Sequence, residues 1–119
     1  MKNKFLVGCL LALSAVATHV NAAGDCLKDD TGKVVCGAGQ CATDQFGKVF
    51  CAKEGGGAMK DEVGGVKCGV GLCAVNDRGL VRCSKRPGGG ATIDANGQVK
   101  CLGGCAPATK QQCEAARAQ

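Results

Sequence analysis

The feature that most constrains this chain is an eleven-residue pattern that occurs five times between residues 26 and 101. Every copy has Asp or Asn at its fourth position, Gly at its seventh, Val at its ninth and Cys at its eleventh. The fourth and seventh positions hold Asp29, Gly32, Asp44, Gly47, Asp61, Gly64, Asn76, Gly79, Asp94 and Gly97. Matches at four fixed offsets in five copies indicate a tandem repeat.

The spacing predicts a β-hairpin in each copy. The Asx side chain accepts hydrogen bonds from the turn backbone, and the Gly adopts positive φ without a Cβ clash. The result is a three-residue hairpin loop with a Gly bulge. In the first copy it places Cys26 opposite Cys36, at a non-hydrogen-bonded pair where Cα atoms are closest. The predicted fold class is therefore small, all-β and disulfide-rich, built from about five tandem short hairpins.

Two kinds of link alternate between the hairpins. CGAGQC at 36–41 and CGVGLC at 68–73 are short links, with a shortened form at 101–105, and longer Gly-rich segments occupy 52–58 and 84–91. We therefore divide a repeat region, 23–105, into units at 26–57, 58–90 and 91–105. We expect the Gly-rich links to be flexible.

Residues 1–22 have the features of a secretory signal peptide. Lys2 and Lys4 precede an apolar run, and small residues lead up to Ala22. The apolar run is too short to span a membrane, so we expect no transmembrane segment in the mature chain. A short signal led by Lys is typical of bacterial export. The predicted location is therefore periplasmic or secreted.

Ten cysteines remain beyond the predicted signal, and an even number in a small exported chain indicates a disulfide framework. One scheme staples the hairpins, as Cys26–Cys36, Cys41–Cys51, Cys73–Cys83 and Cys105–Cys113, with Cys68–Cys101 left over. A second scheme staples the short links, as Cys36–Cys41, Cys68–Cys73 and Cys101–Cys105, and leaves Cys26, Cys51, Cys83 and Cys113 for longer bridges. Strand geometry favours the first scheme, and the recurrence of the short link in every unit favours the second.

The tail, 106–119, has a different composition. Thr109 and Gln112 match a capping box, and residues 114–118 are helix-forming. We predict a short helix from about residue 110 to 117, held by Cys113. A frayed terminus is the alternative.

Missing residue types limit the available chemistry. The only His, His19, lies in the predicted signal, and the mature chain has one Ser and neither Trp nor Tyr. Ser-His and Cys-His nucleophilic sites are thereby excluded. Turn capping accounts for the repeated Asp residues. We therefore predict that the protein is not an enzyme and has no catalytic residues, metal site or cofactor. The mature chain also lacks the basic clusters and aromatics typical of nucleic-acid binding.

These features favour an exported, non-enzymatic repeat protein that serves as a structural or binding module of the cell envelope or exterior. Its ligand surface would use variable positions such as Phe46, Phe50 and Lys53, and its partner, a protein or an envelope component, is not specified by the sequence. One alternative is sequestration of a soft metal, Cu(I) or Zn, by cysteine thiolates. Another is a secreted toxin-like or inhibitor scaffold.

Overall fold

A computed structural model describes residues 24–119, so the predicted signal peptide lies outside the described residues. This part of the chain is all-β, with thirteen short strands and no helix. The strands are β1 (Cys26–Lys28), β2 (Val34–Cys36), β3 (Cys41–Thr43), β4 (Val49–Ala52), β5 (Ala58–Lys60), β6 (Val66–Cys68), β7 (Cys73–Val75), β8 (Val81–Ser84), β9 (Ala91–Ile93), β10 (Val99–Cys101), β11 (Cys105–Pro107), β12 (Cys113–Ala115) and β13 (Arg117–Ala118).

The first ten strands form five consecutive antiparallel hairpins, one for each copy of the repeat. In the first hairpin Cys26 lies opposite Cys36 and Lys28 lies opposite Val34. The other four hairpins have the equivalent register. The prediction of a disulfide-rich, all-β fold of tandem hairpins is confirmed.

The Asx and Gly positions form the turns. In the second hairpin, Asp44 Oδ1 accepts hydrogen bonds from the N–H groups of Phe46 at 2.8 Å and Lys48 at 2.9 Å. The Asx oxygen of each other hairpin accepts from the same two offsets. The seventh-position Gly has a φ of 80° to 92° in all five turns. A side chain there would be strained, because L-residues rarely adopt such angles.

Successive turns also stack closely on one another. The Asp30 N–H donates to the Gly47 carbonyl at 3.1 Å, and a Cβ built on Gly47 would lie 2.4 Å from Asp30 Cβ. Side chains of the preceding turn crowd the equivalent Gly of the next three hairpins in the same way. Gly32, in the first turn of the stack, has nothing within 4 Å of a built Cβ. Glycine is therefore needed for close approach as well as for its φ, except at the first turn.

The tail is a return strand, and the predicted helix is wrong. Strands β11, β12 and β13 pair with β8, β4 and β2, and an isolated bridge joins Thr109 to Cys68 of β6. Thr109 Oγ1 does accept from the Gln112 N–H at 3.3 Å, but that bond closes a turn. Local helix propensity is overridden because the open edges of the hairpins require hydrogen-bond partners.

The return strand follows a regular step. Residues 105, 109, 113 and 117 lie opposite residues 84, 68, 52 and 36. Four residues of the tail therefore correspond to one hairpin, which is sixteen residues of the repeat region. The tail thus joins four hairpins in reverse order, from the fourth to the first.

All ten cysteines of the described range form disulfides. Three bridges lie within hairpins as predicted, namely Cys26–Cys36, Cys41–Cys51 and Cys73–Cys83, with Cα separations of 4.0, 4.0 and 3.9 Å. The predicted pairs Cys68–Cys101 and Cys105–Cys113 are wrong, since the structure has Cys68–Cys113 and Cys101–Cys105. Cys68 faces Ala58 in its own hairpin, and the return strand brings Cys113 beside it. The short-link scheme is correct only at Cys101–Cys105.

The apolar core is divided into three small clusters. Each combines buried Val with a cystine, and the members are Val35, Val49 and Cys51; Ala52, Ala58, Val66 and Cys68; and Val81, Cys83 and Ala108. Such small clusters bury little apolar surface, so covalent bridges and backbone pairing carry much of the cohesion.

The links are closely packed, and the expectation of flexibility is wrong at Gly56. This residue is buried, and a Cβ built on it would lie 2.2 Å from the Gly69 carbonyl oxygen. In the short links, Gly37 and Gly69 pack directly on the disulfides of the following hairpins. The glycines therefore allow neighbouring segments to approach closely.

Candidate functional site

A polar cleft lies between the fourth and fifth hairpins. Its volume is about 660 Å³, compared with about 180 to 390 Å³ for four other clefts of the described residues. Its walls are formed by Asn76, Asp77, Arg78 and Arg82 on one side, by Asn96, Gln98, Val99, Lys100 and Cys101 on the other, and by Gly104 and Cys105 at one end. Its size falls in the range of ligand-binding clefts.

The repeat architecture positions these side chains. Arg78 is exposed at the turn of the fourth hairpin, immediately before Gly79, and Arg82 is partly buried on β8, between Ala74 and Pro107 of the neighbouring strands. Lys100 is exposed on β10. Because the turns of the two hairpins stack, cations that are far apart in sequence line one cleft.

The cleft has an excess of positive charge. Its lining contains three cations, Arg78, Arg82 and Lys100, and one acid, Asp77. Lys100 Nζ lies 3.9 Å from Asp94 Oδ2, in a pair that is partly exposed to solvent. Among residues 24–119, Arg78 and Arg82 form no ion pair. The arrangement therefore offers hydrogen-bond donors and positive charge to a ligand.

The structure does not bring the proposed ligand-surface residues Phe46, Phe50 and Lys53 together in one site. Phe46 is 72% exposed at a turn, and Lys53 is exposed in a link. Phe50 instead packs against the cluster that contains Ala52 and Val66. Sequence reasoning also missed the cleft. Arg82 and Lys100 both occupy the tenth position of their copies, but the sequence of a repeat does not show how neighbouring hairpins pack.

Two turn carboxylates, Asp29 and Asp94, are stabilised as anions by hydrogen bonds within their own turns. The pKa of Asp29 is lowered below its ordinary value of 3.8 mainly by a hydrogen bond from the Thr31 hydroxyl at 2.6 Å. The pKa of Asp94 is lowered mainly by the Gln98 N–H. No group of three or more metal-ligating side chains occurs in residues 24–119.

Asp61 is less exposed than Asp94, with 7% of its side chain accessible compared with 28%. Burial raises its pKa, but hydrogen bonds from the Gly65 and Val63 N–H groups and from Lys67 outweigh this effect and lower it overall. Lys67 Nζ lies 3.4 Å from Asp61 Oδ2. All the cited shifts therefore favour the charged form in the folded protein.

These shifts predict a loss of stability in acid. A lowered pKa means that the native state binds the proton less readily than the unfolded state, so the carboxylates stabilise the fold above pH 3.8. That contribution should be lost as the pH falls below 3.8. Thermal unfolding of the oxidised protein at about pH 5 and about pH 2.5 measures the effect.

The chain contains its own control for this prediction. Asn76 occupies the same turn position, does not titrate, and accepts the same two hydrogen bonds at 2.9 Å. The triple substitution D29N, D61N and D94N should therefore keep the turns and reduce the loss of melting temperature in acid. An undiminished acid effect in this variant would contradict the assignment.

The fold and the cleft define a class: a disulfide-rich, all-β repeat protein with a cationic cleft at one end of its hairpin array. Among residues 24–119 no helix is long and apolar enough to cross a membrane. The chain matches no protein-family model, and comparison with curated proteins and with solved structures found no significant match.

Proposed function

We propose that the protein is an exported, non-enzymatic binding module of the cell envelope or exterior, whose hairpin array presents the cationic cleft to a ligand. The observation that carries the proposal is that all ten cysteines of residues 24–119 are bridged. Disulfides persist in oxidising compartments, which supports a periplasmic or secreted location. Bridged sulfurs are also neither nucleophiles nor thiolate ligands.

The composition of the cleft supports binding rather than catalysis. Its lining contains no Ser, His or free thiol, and its single carboxylate, Asp77, lacks the second carboxylate that acid–base hydrolysis requires. Disulfides hold both sides of the cleft. Cys73–Cys83 closes the fourth hairpin, and Cys101–Cys105 joins the end of the fifth hairpin to the start of β11. A rigid, charged cleft of this kind suits recognition, because little ordering is required when the ligand binds.

The experiment is an intact mass and a thiol titration of the protein recovered from its natural compartment. Five bridges remove ten hydrogens, so the mass should lie about 10 Da below that of the reduced chain, with no titratable thiol after unfolding. Metal analysis of the same sample tests the soft-metal alternative. Several free thiols together with near-stoichiometric copper or zinc would replace the binding-module proposal by metal sequestration.

A further inference from the structure

We propose that the cleft binds an extended acidic peptide segment, which adds as a strand to the outer edge of β10. This inference rests on the proposed binding function and names its partner class. The four other hairpins each receive the return strand on the outer edge of their second strand, on β2, β4, β6 and β8. Among the described strands, β10 pairs only with β9.

The step of the return strand explains why this edge is left open. Each shift of four tail residues corresponds to sixteen residues of the repeat region. Residue 105 lies opposite residue 84. One more step toward the fifth hairpin would place residue 101 opposite residue 100, but both residues belong to β10 and cannot pair with each other. The tail is the continuation of the fifth hairpin, so it cannot cover that hairpin. Among residues 24–119 no other segment extends the track along β10.

The hydrogen-bonding groups of β10 show what is missing. In three hairpins the ninth-position Val carbonyl accepts a tail N–H, at 3.2 Å for Val34, 3.4 Å for Val49 and 3.1 Å for Val81. The equivalent Val99 carbonyl has no such partner in residues 24–119. Cys105 Sγ lies 3.5 Å from it but is bridged and has no proton to donate.

The open edge also provides donors. The Asp94 N–H donates to the Gln98 carbonyl and the Leu102 N–H donates to the Gly90 carbonyl, so the alternate residues Val99 and Cys101 direct their N–H groups away from β9. Both residues line the cleft. Within the described residues β9 is the only strand that pairs with β10, so neither N–H belongs to a ladder. The Cys101 carbonyl already accepts from the Gly104 N–H at 3.2 Å, so the open groups are these two N–H groups and the Val99 carbonyl. Carbonyl groups of an incoming strand would satisfy these donors, as in other cases of strand addition.

The side chains around the edge select for acidic residues. The lining has three cations, Arg78, Arg82 and Lys100, and one acid, Asp77. Lys100 is paired with Asp94, but the two arginines form no ion pair within residues 24–119. Alternate side chains of an added strand would point toward this wall, because strand side chains have a period of two. An extended segment with acidic residues at alternate positions therefore matches both the open backbone edge and the charge.

The test uses two fluorescein-labelled peptides of about seven residues, one alternating Thr and Glu and the other alternating Thr and Lys. The oxidised protein should bind the Glu peptide measurably by fluorescence anisotropy at low salt and should bind the Lys peptide at least about tenfold more weakly. Amide hydrogen exchange should show the Val99 and Cys101 N–H groups slowed by at least about tenfold in the complex. These measurements need no variant.

A pair of charge-reversal variants locates the site. R82E with K100E should weaken binding of the Glu peptide by at least about tenfold. K28E with K48E makes the same change in net charge at exposed cations outside the cleft, and it should have little effect. Equal weakening by the two variants, or equal binding of the two peptides, would overturn the proposal.

Other results identify other occupants and also overturn it. Binding of the Glu peptide without slowed exchange at Val99 and Cys101 would assign the cleft to a simple anion. Self-association in sedimentation velocity, if abolished by R82E with K100E, would assign the edge to a second copy. If the Glu peptide does not bind at millimolar concentration, the role of Lys100 is to prevent other strands from pairing with the exposed edge of β10. None of these outcomes changes the expected thiol titration or intact mass. The peptide-binding inference can therefore be wrong while the proposal of an exported module stands.

Discussion

Replacing Cys68 and Cys113 by alanine should lower the free energy of unfolding by about 4 kcal/mol, the largest effect expected for any single bridge. This disulfide closes the longest loop, with a sequence separation of 45, whereas the hairpin bridges span 10 and Cys101–Cys105 spans 4. In the chain-entropy model the same removal costs about 3 kcal/mol for a hairpin bridge and about 2 kcal/mol for Cys101–Cys105.

The variant should also loosen the return strand. Cys113 begins β12, and its bridge is the covalent attachment of the distal tail to the hairpins. Without it, the backbone pairs that β12 and β13 make with β4 and β2 should exchange faster, because the tail could then detach locally. Urea unfolding gives the change in stability, and amide exchange at Glu114 and Gln119 reports the detachment, since the Gln119 N–H donates to the Val34 carbonyl of β2.

The matched control is the double alanine variant of Cys26 and Cys36. It removes a bridge from the first hairpin and leaves the tail tied to β6. Equal losses of stability in the two variants, with unchanged exchange in β12 and β13, would show that the tail is held by backbone pairing alone.

Gly47→Ala should destabilise the protein more than Gly32→Ala, although both glycines have nearly the same φ, 84° and 86°. Positive φ costs about 1–2 kcal/mol for an L-residue at either site. Only at Gly47 does the added Cβ also meet Asp30, 2.4 Å from its Cβ. Relieving that overlap should lower the free energy of unfolding by a further ~1–3 kcal/mol. The comparison separates turn geometry from turn stacking.

A double-mutant cycle checks the cause of the difference. Asp30→Gly removes the atoms that the new methyl group would meet, and it should recover most of the additional loss when combined with Gly47→Ala. The same Asp30 substitution should give no recovery with Gly32→Ala. Equal costs of Gly47→Ala and Gly32→Ala in thermal unfolding would mean that the turns do not stack as described.

Much of the local structure could be predicted from the sequence, because its causes are local. Asp44 and Gly47 define a turn within a few residues of each other, and that turn determines which residues face each other across the hairpin. The opposition of Cys41 and Cys51 follows by counting outward from the turn. Three disulfides were therefore predictable before any tertiary contact was known.

The sequence by itself determined the hairpins, their register, their turns and the oxidised character of the chain. Only the tertiary structure decided that the tail forms strands, which cysteines pair with Cys68 and Cys101, that Gly56 is tightly packed, and that a cationic cleft is present. The helix-forming residues after Cys113 became strands because the edges of β2 and β4 offered backbone partners that a helix could not satisfy. Arg82 and Lys100 line the same cleft because the fourth and fifth hairpins stack on each other. The sequence of one repeat predicts the pairing within its hairpin but not how neighbouring hairpins pack.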